Sequence, residues 1–193
     1  MSKLFLSACL AAGLAFSVPA TAQDSTFWGE IGDWDIQIDT TISNGCYAIA
    51  EWESGTIVRI GINPETDFYY VLIGNPRWAP IVAEREYALS VQFDSRAPWD
   101  VTATGLQFNP GELVYYYAQT QQFDFINEFM RLNRMKISAG PRTLDTLVLR
   151  GSRAAFEGVM ECQDEMARLP PPSPTPPPAG SRIRTGPGKA AQF

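Results

Sequence analysis

The chain has 193 residues, with 21 Asp and Glu against 15 Lys and Arg, and no histidine. The missing imidazole excludes Ser-His-Asp and Cys-His catalysis, histidine zinc sites and the usual near-neutral general base. Every acidic residue lies between Asp24 and Glu165, so residues 23–169 hold 21 acidic and 11 basic side chains, a net charge of −10. Such a surface repels phosphate backbones, which argues against nucleic acid as a partner.

Residues 1–22 read as a secretory signal peptide. Lys3 supplies the positive start, Leu4 to Val18 carries no charge, and Ala20-Thr21-Ala22 places small residues where a signal peptidase cuts, leaving Gln23 at the new terminus. About 15 apolar residues are too few for a membrane span, which needs about 20. Leu6-Ser7-Ala8-Cys9 has the look of a lipoprotein box, but only Leu4 to Ala8 would then remain as its apolar core. Cleavage after Ala22 leaves two cysteines, Cys46 and Cys162. In an oxidising compartment such a pair is expected to form one disulfide, closing a loop of more than a hundred residues.

Strand patterns fill most of residues 23–169. Trp34-Asp35-Ile36-Gln37-Ile38-Asp39 alternates apolar and polar side chains, the period of a half-buried strand. Asn44-Gly45 offers a tight turn, and 46–53 and 56–63 flank Ser54-Gly55 as a hairpin. Residues 67–74, apolar on both faces, are expected in the middle of a sheet. After the loop Asn75 to Pro80, alternation returns at Tyr87, Leu89, Val91 and Phe93, then at Trp99, Val101 and Ala103. Residues 112–118, 135–139 and 143–150 complete eight or nine strands. Residues 123–132 and 153–166 read as amphipathic helices, the second with Ser152 as N-cap and with Ala155, Val159, Cys162 and Met166 on one stripe. The expected fold is mainly β (β-rich α+β): an antiparallel sandwich or partial barrel with the C-terminal helix packed on it and pinned through Cys46. Eight prolines in residues 170–193 mark a Pro-rich basic tail, expected to be extended or disordered, carrying Arg182, Arg184 and Lys189.

Little catalytic chemistry remains. There is no GxSxG, P-loop or GxGxxG at a strand-to-helix turn. A Ser–Lys dyad has only Lys136 to use, with Ser138 beside it, and two polar residues on a solvated strand face explain that pair better. Asp33/Asp35, Glu51/Glu53 and Glu84/Glu86 are spaced to share strand faces. Paired carboxylates can serve glycoside hydrolysis or calcium binding, but their alternation with apolar residues is what a solvated face produces. Phe68-Tyr69-Tyr70 and Tyr115-Tyr116-Tyr117 must point to both faces of a sheet, one set entering the core. Trp78, isolated in a Pro-rich loop, is the aromatic best placed for recognition.

The segment Leu147-Val148-Leu149-Arg150-Gly151-Ser152-Arg153-Ala154-Ala155-Phe156, closing on Cys162-Gln163, resembles the last strand and helix of exported bacterial proteins of the invasion-associated locus B type. The chain lacks the additional cysteine and glycine pattern of those proteins, so an invasion role is not carried over. The layout from Gly32-Asp33-Trp34-Asp35-Ile36 through Asn44-Gly45-Cys46-Tyr47 to the Gly151 helix looks like a family of uncharacterised small exported envelope proteins. That resemblance implies a location and a fold.

The function expected from all this is binding, in the periplasm or after secretion, without cofactor or metal. The expected partner is an envelope protein or an anionic envelope component, met through Trp78 or through Arg182, Arg184 and Lys189. The chain is not expected to be an integral membrane protein. The alternatives are a carboxylate-dependent hydrolase of cell-wall glycans and a secreted factor that meets a host or competitor.

Overall fold

A computed structural model describes residues 25–169. The signal segment with Cys9, and the tail with Arg182, Arg184 and Lys189, lie outside the described residues. The chain forms β1 (Ser25–Ile31), β2 (Trp34–Asp39), β3 (Gly45–Glu51), β4 (Ile57–Asn63), β5 (Phe68–Gly74), β6 (Glu86–Phe93), β7 (Trp99–Leu106) and β8 (Tyr115–Thr120). Helix α1 (Phe123–Arg131), β9 (Arg134–Ala139), β10 (Arg142–Val148) and helix α2 (Ser152–Arg168) complete it. The ten strands make one open antiparallel sheet in the order β1-β2-β3-β4-β5-β8-β7-β6-β9-β10.

The mainly β expectation holds, and the alternation of β2 is its local cause. Trp34, Ile36 and Ile38 face the main core, while Asp35, Gln37 and Asp39 take the opposite face. Strand β5, apolar on both faces, sits between β4 and β8 in the interior of the sheet. Strand β1 has no counterpart in the sequence pattern. Its apolar Phe27 and Trp28 are adjacent, and a register shift between Phe27 and Gly29 breaks the period-2 signal. Strand β8 begins at Tyr115, three residues later than expected, because Glu112 closes a turn on the carbonyl of Asn109. Ser152 is not the N-cap of α2. Gly151 holds that position in the left-handed region (φ 76°), and the Ser152 hydroxyl donates instead to the carbonyl of Phe129 at 2.7 Å, joining the two helices.

The helices fill the concave side of the sheet. Helix α2 lays Ala155, Phe156, Val159 and Cys162 against β2, β3 and β4, all four fully buried. It approaches closely because Gly158 has no side chain: a Cβ there would collide with Ile31 Cδ1. Cys46 on β3 and Cys162 on α2 form a disulfide, with Cα atoms 6.0 Å apart. Just beside it, the Gln163 side chain accepts the Cys46 amide at 3.0 Å, one residue beyond the end of the β3–β4 ladder. Helix and strand are thus joined twice. Trp34 stands at the centre, edge-on to Trp52 and Phe129, its indole N–H donating to the carbonyl of Arg150 at 3.0 Å.

The far end of the sheet curls back. The Trp52 indole donates to the carbonyl of Val148 at 3.0 Å, and the Ser54 hydroxyl donates to Asp145 at 2.7 Å. The Thr56 hydroxyl donates to the same Asp145 oxygen and itself accepts from Asn75. Strand β10 is therefore latched to the β3–β4 hairpin by side chains, without a backbone ladder. Partial burial raises the Asp145 pKa, but hydrogen bonds from Thr56, Ser54 and the Thr146 amide outweigh it and hold the carboxyl below its ordinary value. The linkage has one sign. The latch contributes in full above the ordinary carboxylate pKa and is lost as pH falls through the depressed folded one. Asp145→Ala should cost about 1–3 kcal/mol, because the fully buried Thr56 hydroxyl loses its acceptor. It should also speed amide exchange in 142–148 at neutral pH, and the difference from the parent should shrink in strong acid. Unchanged exchange in β10 would remove the latch from this account.

Candidate functional site

The sheet has a fork. Strands β7 and β8 pair only through Thr104–Tyr117, Gly105–Tyr116 and Leu106–Tyr115, whereas β6 pairs with β7 from Trp99 and β5 pairs with β8 as far as Thr120. Beyond Thr104 and Tyr117 the two strands part. The chain turns at once from β8 into α1, and the apolar face of that helix runs beneath the parting strands. Phe125 and Ile126, 6% and 1% exposed, form the floor. Above them lies a cleft of about 290 Å³, close to the lower end of the range for small-molecule sites.

Trp99 and Val101 on β7 face Tyr69, Val71 and Ala118 across the cleft, and Asp100, Thr102, Gln119 and Gln122 form a polar rim. Trp99 is fixed in place. Its indole donates to Glu128 of α1 at 2.9 Å, and its ring stands edge-on to Phe125 at 5.6 Å. The result is an apolar floor, a rigid aromatic wall and a rim whose one charged residue is Asp100. That arrangement suits an extended or flat ligand with an apolar body and donor or cationic edges. Asp100 is the one carboxylate among the lining residues.

The opposite face of the sheet holds a buried cation. Arg59 on β4, 8% exposed, pairs with Asp39 Oδ2, and Asp39 Oδ1 accepts from the Thr41 amide and hydroxyl and from the Ile42 amide. The guanidinium lies 3.7 Å from the centre of the Tyr47 ring and donates to the Tyr70 hydroxyl at 3.1 Å, with Phe108 above it. Burial pushes the Tyr70 phenol up to about 12, against the opposing pull of Arg59. Gly61 makes room for these rings, since a Cβ there would meet the Tyr70 hydroxyl at 2.8 Å and the Tyr47 Cβ at 2.6 Å. The outward tyrosines thus surround Arg59, where sequence alone offers an exposed patch as one option. Arg59 itself reads as an ordinary polar position between Val58 and Ile60, and no local signal marks it as buried.

The other sequence candidates lie apart. Trp78 is half-buried, its ring 6.1 Å from that of Tyr116. Asp33 and Glu53 fall in turns, and Glu84 in a turn with φ 64°, so none of the three carboxylate pairs shares a strand. Asp33, Glu51 and Glu53 do meet around a second, more open cleft beside the Asp145 latch. Among the described residues no group of three or more His, Cys, Asp or Glu side chains is placed to hold a metal ion. Lys136 and Ser138 are neighbours on β9, Lys136 exposed and Ser138 half-buried. No helix among the described residues is long and apolar enough to cross a membrane.

Fold and cleft together define the class: a single curled antiparallel sheet, filled by two helices, with a ligand-sized cleft where two strands part. Compared with family models, curated proteins and solved structures, the chain finds no match.

Proposed function

We propose that this chain is an exported protein of the bacterial envelope that acts by binding, and that the cleft between β7 and β8 is its binding site. The cleft carries the reading: it joins an apolar floor, a fixed Trp99 and a polar rim at the point where the β7–β8 ladder stops. Export is supported by the signal-like residues 1–22 and by the Cys46–Cys162 disulfide, which forms readily only in an oxidising compartment. The partner is an envelope component that presents an extended segment with apolar and basic groups, matched to the apolar floor and to Asp100.

Thr102→Trp fills the mouth of the cleft, and Asp100→Lys reverses the charge of its rim. Both positions are exposed, so both variants should melt with the parent. Retention of envelope material on the immobilised protein should fall at least tenfold in each. It should be unchanged in Glu86→Lys, which lies outside the lining. Equal retention by all four proteins would refute the cleft as the binding site.

A further inference from the structure

The chain carries a segment suited to this cleft. Between Leu169, where the described helix α2 has ended, and the C-terminal Phe193, the only large apolar residue is Ile183, and it sits in Ser181-Arg182-Ile183-Arg184-Thr185. Prolines lack an N–H and cannot donate to a ladder, so the sequence of the Pro-dense 170–178 offers few donors to one. Ala179 to Gly186 is the longest proline-free run after Leu169. Its alternation of basic and apolar side chains is that of a strand with one face turned to an apolar floor.

We propose that residues 181–185 of the same chain seat in the fork between β7 and β8, with Ile183 over Phe125 and Ile126 and with Arg182 and Arg184 at the rim near Asp100. The inference rests on the reading of the cleft as a binding site, and it names an occupant that an outside partner must displace. Charge favours it: residues 23–169 carry −10 and residues 170–193 carry +3. Reach allows it. Ile183 lies fourteen positions after Leu169, about 43 Å at roughly 3.1 Å per residue when extended. A domain of this size has a radius of gyration of about 15 Å, hence a diameter of about 40 Å. The fork also leaves backbone groups open to an added segment, since the rungs that would join Trp99–Ala103 to Ala118–Thr120 are missing and the cleft lies between them. Insertion of an extended chain beside such strands is a general mode of peptide recognition.

The test uses the full mature chain. With Ile183→p-benzoylphenylalanine, irradiation at low concentration should give intramolecular adducts to Trp99–Thr102, Ala118–Gln122 or α1, mapped by mass spectrometry. With Ile183→Asp, amides in 100–103 and 118–120 should exchange at least tenfold faster than in the parent. Adducts elsewhere on the domain, adducts only between two copies, or equal exchange in parent and variant would each overturn intramolecular seating. Failure here is separable from failure of the proposed function. If Thr102→Trp and Asp100→Lys still lose envelope material, the cleft remains the binding site and only its internal occupant is lost.

Discussion

Replacing Arg59 by methionine should lower stability by about 3–5 kcal/mol, because it strands the Asp39 carboxylate in a place that is 1% exposed. Asp39 would keep the Thr41 and Ile42 donors on one oxygen but lose the cation on the other. The Tyr47 ring would lose the guanidinium stacked 3.7 Å from its centre, and the Tyr70 hydroxyl would lose its donor. For a domain of this size the loss should lower Tm by roughly 10 °C or more. The companion variant separates pairing from packing. Asp39→Asn with Arg59→Met removes both charges, while the carboxamide oxygen of the new side chain still accepts from Thr41 and Ile42, so most of the loss should return. Thermal melts of the two single variants and the double variant decide it. Additive losses would show that Arg59 acts by packing on the tyrosines and that the ion pair contributes little.

Replacing Cys46 and Cys162 by alanine should cost about 2–4 kcal/mol, read as a lower Tm and an earlier denaturant midpoint. The two residues are 116 positions apart, so the bond closes most of the domain into one loop and restricts the unfolded chain. The side chains are both fully buried, which makes alanine preferable to serine, since a buried hydroxyl would add a cost of its own. Reductant should lower the Tm of the parent toward that of the variant and leave the variant unchanged. Part of the contact survives in any case, because Gln163 still accepts the amide of residue 46. A Gln163→Ala change added to the cysteine-free protein should therefore increase amide exchange at position 46 and along α2. Equal melting of parent and cysteine-free chains would show that the unfolded ensemble gains little freedom when the bond is absent.

Several elements were legible because their cause is local. The alternation in Trp34–Asp39 and in Tyr87–Phe93, the two-faced apolar run of β5 and the stripe Ala155, Val159 and Cys162 each encode a face, and each element lies where that face is buried. With Cys9 set aside in the export-like start, the two remaining cysteines point to one bond, and Cys46 and Cys162 form it. The absence of histidine excludes whole classes of chemistry whatever the fold. Strand β1 escaped because a bulge disrupts the period that would have revealed it.

The cleft and the Arg59 cluster belong to tertiary structure alone. Strand order depends on which edges meet after long connections, and here β8 lies beside β5 while β6 joins β9, so Trp99 and Tyr69 come to line one cleft from positions 30 residues apart. Nothing in the alternation of β7 or β8 states where their shared ladder stops; the entry of α1 beneath them, with Phe125 and Ile126, coincides with that point. Arg59 is likewise indistinguishable by pattern from a solvated strand residue. It is buried because the 39–44 turn brings Asp39 to it and because Tyr47, Tyr70 and Phe108 close around it from three separate segments. Local sequence sets which face of each element seeks burial. Only the assembled sheet decides which polar groups are enclosed with a partner and where a gap is left open to a ligand.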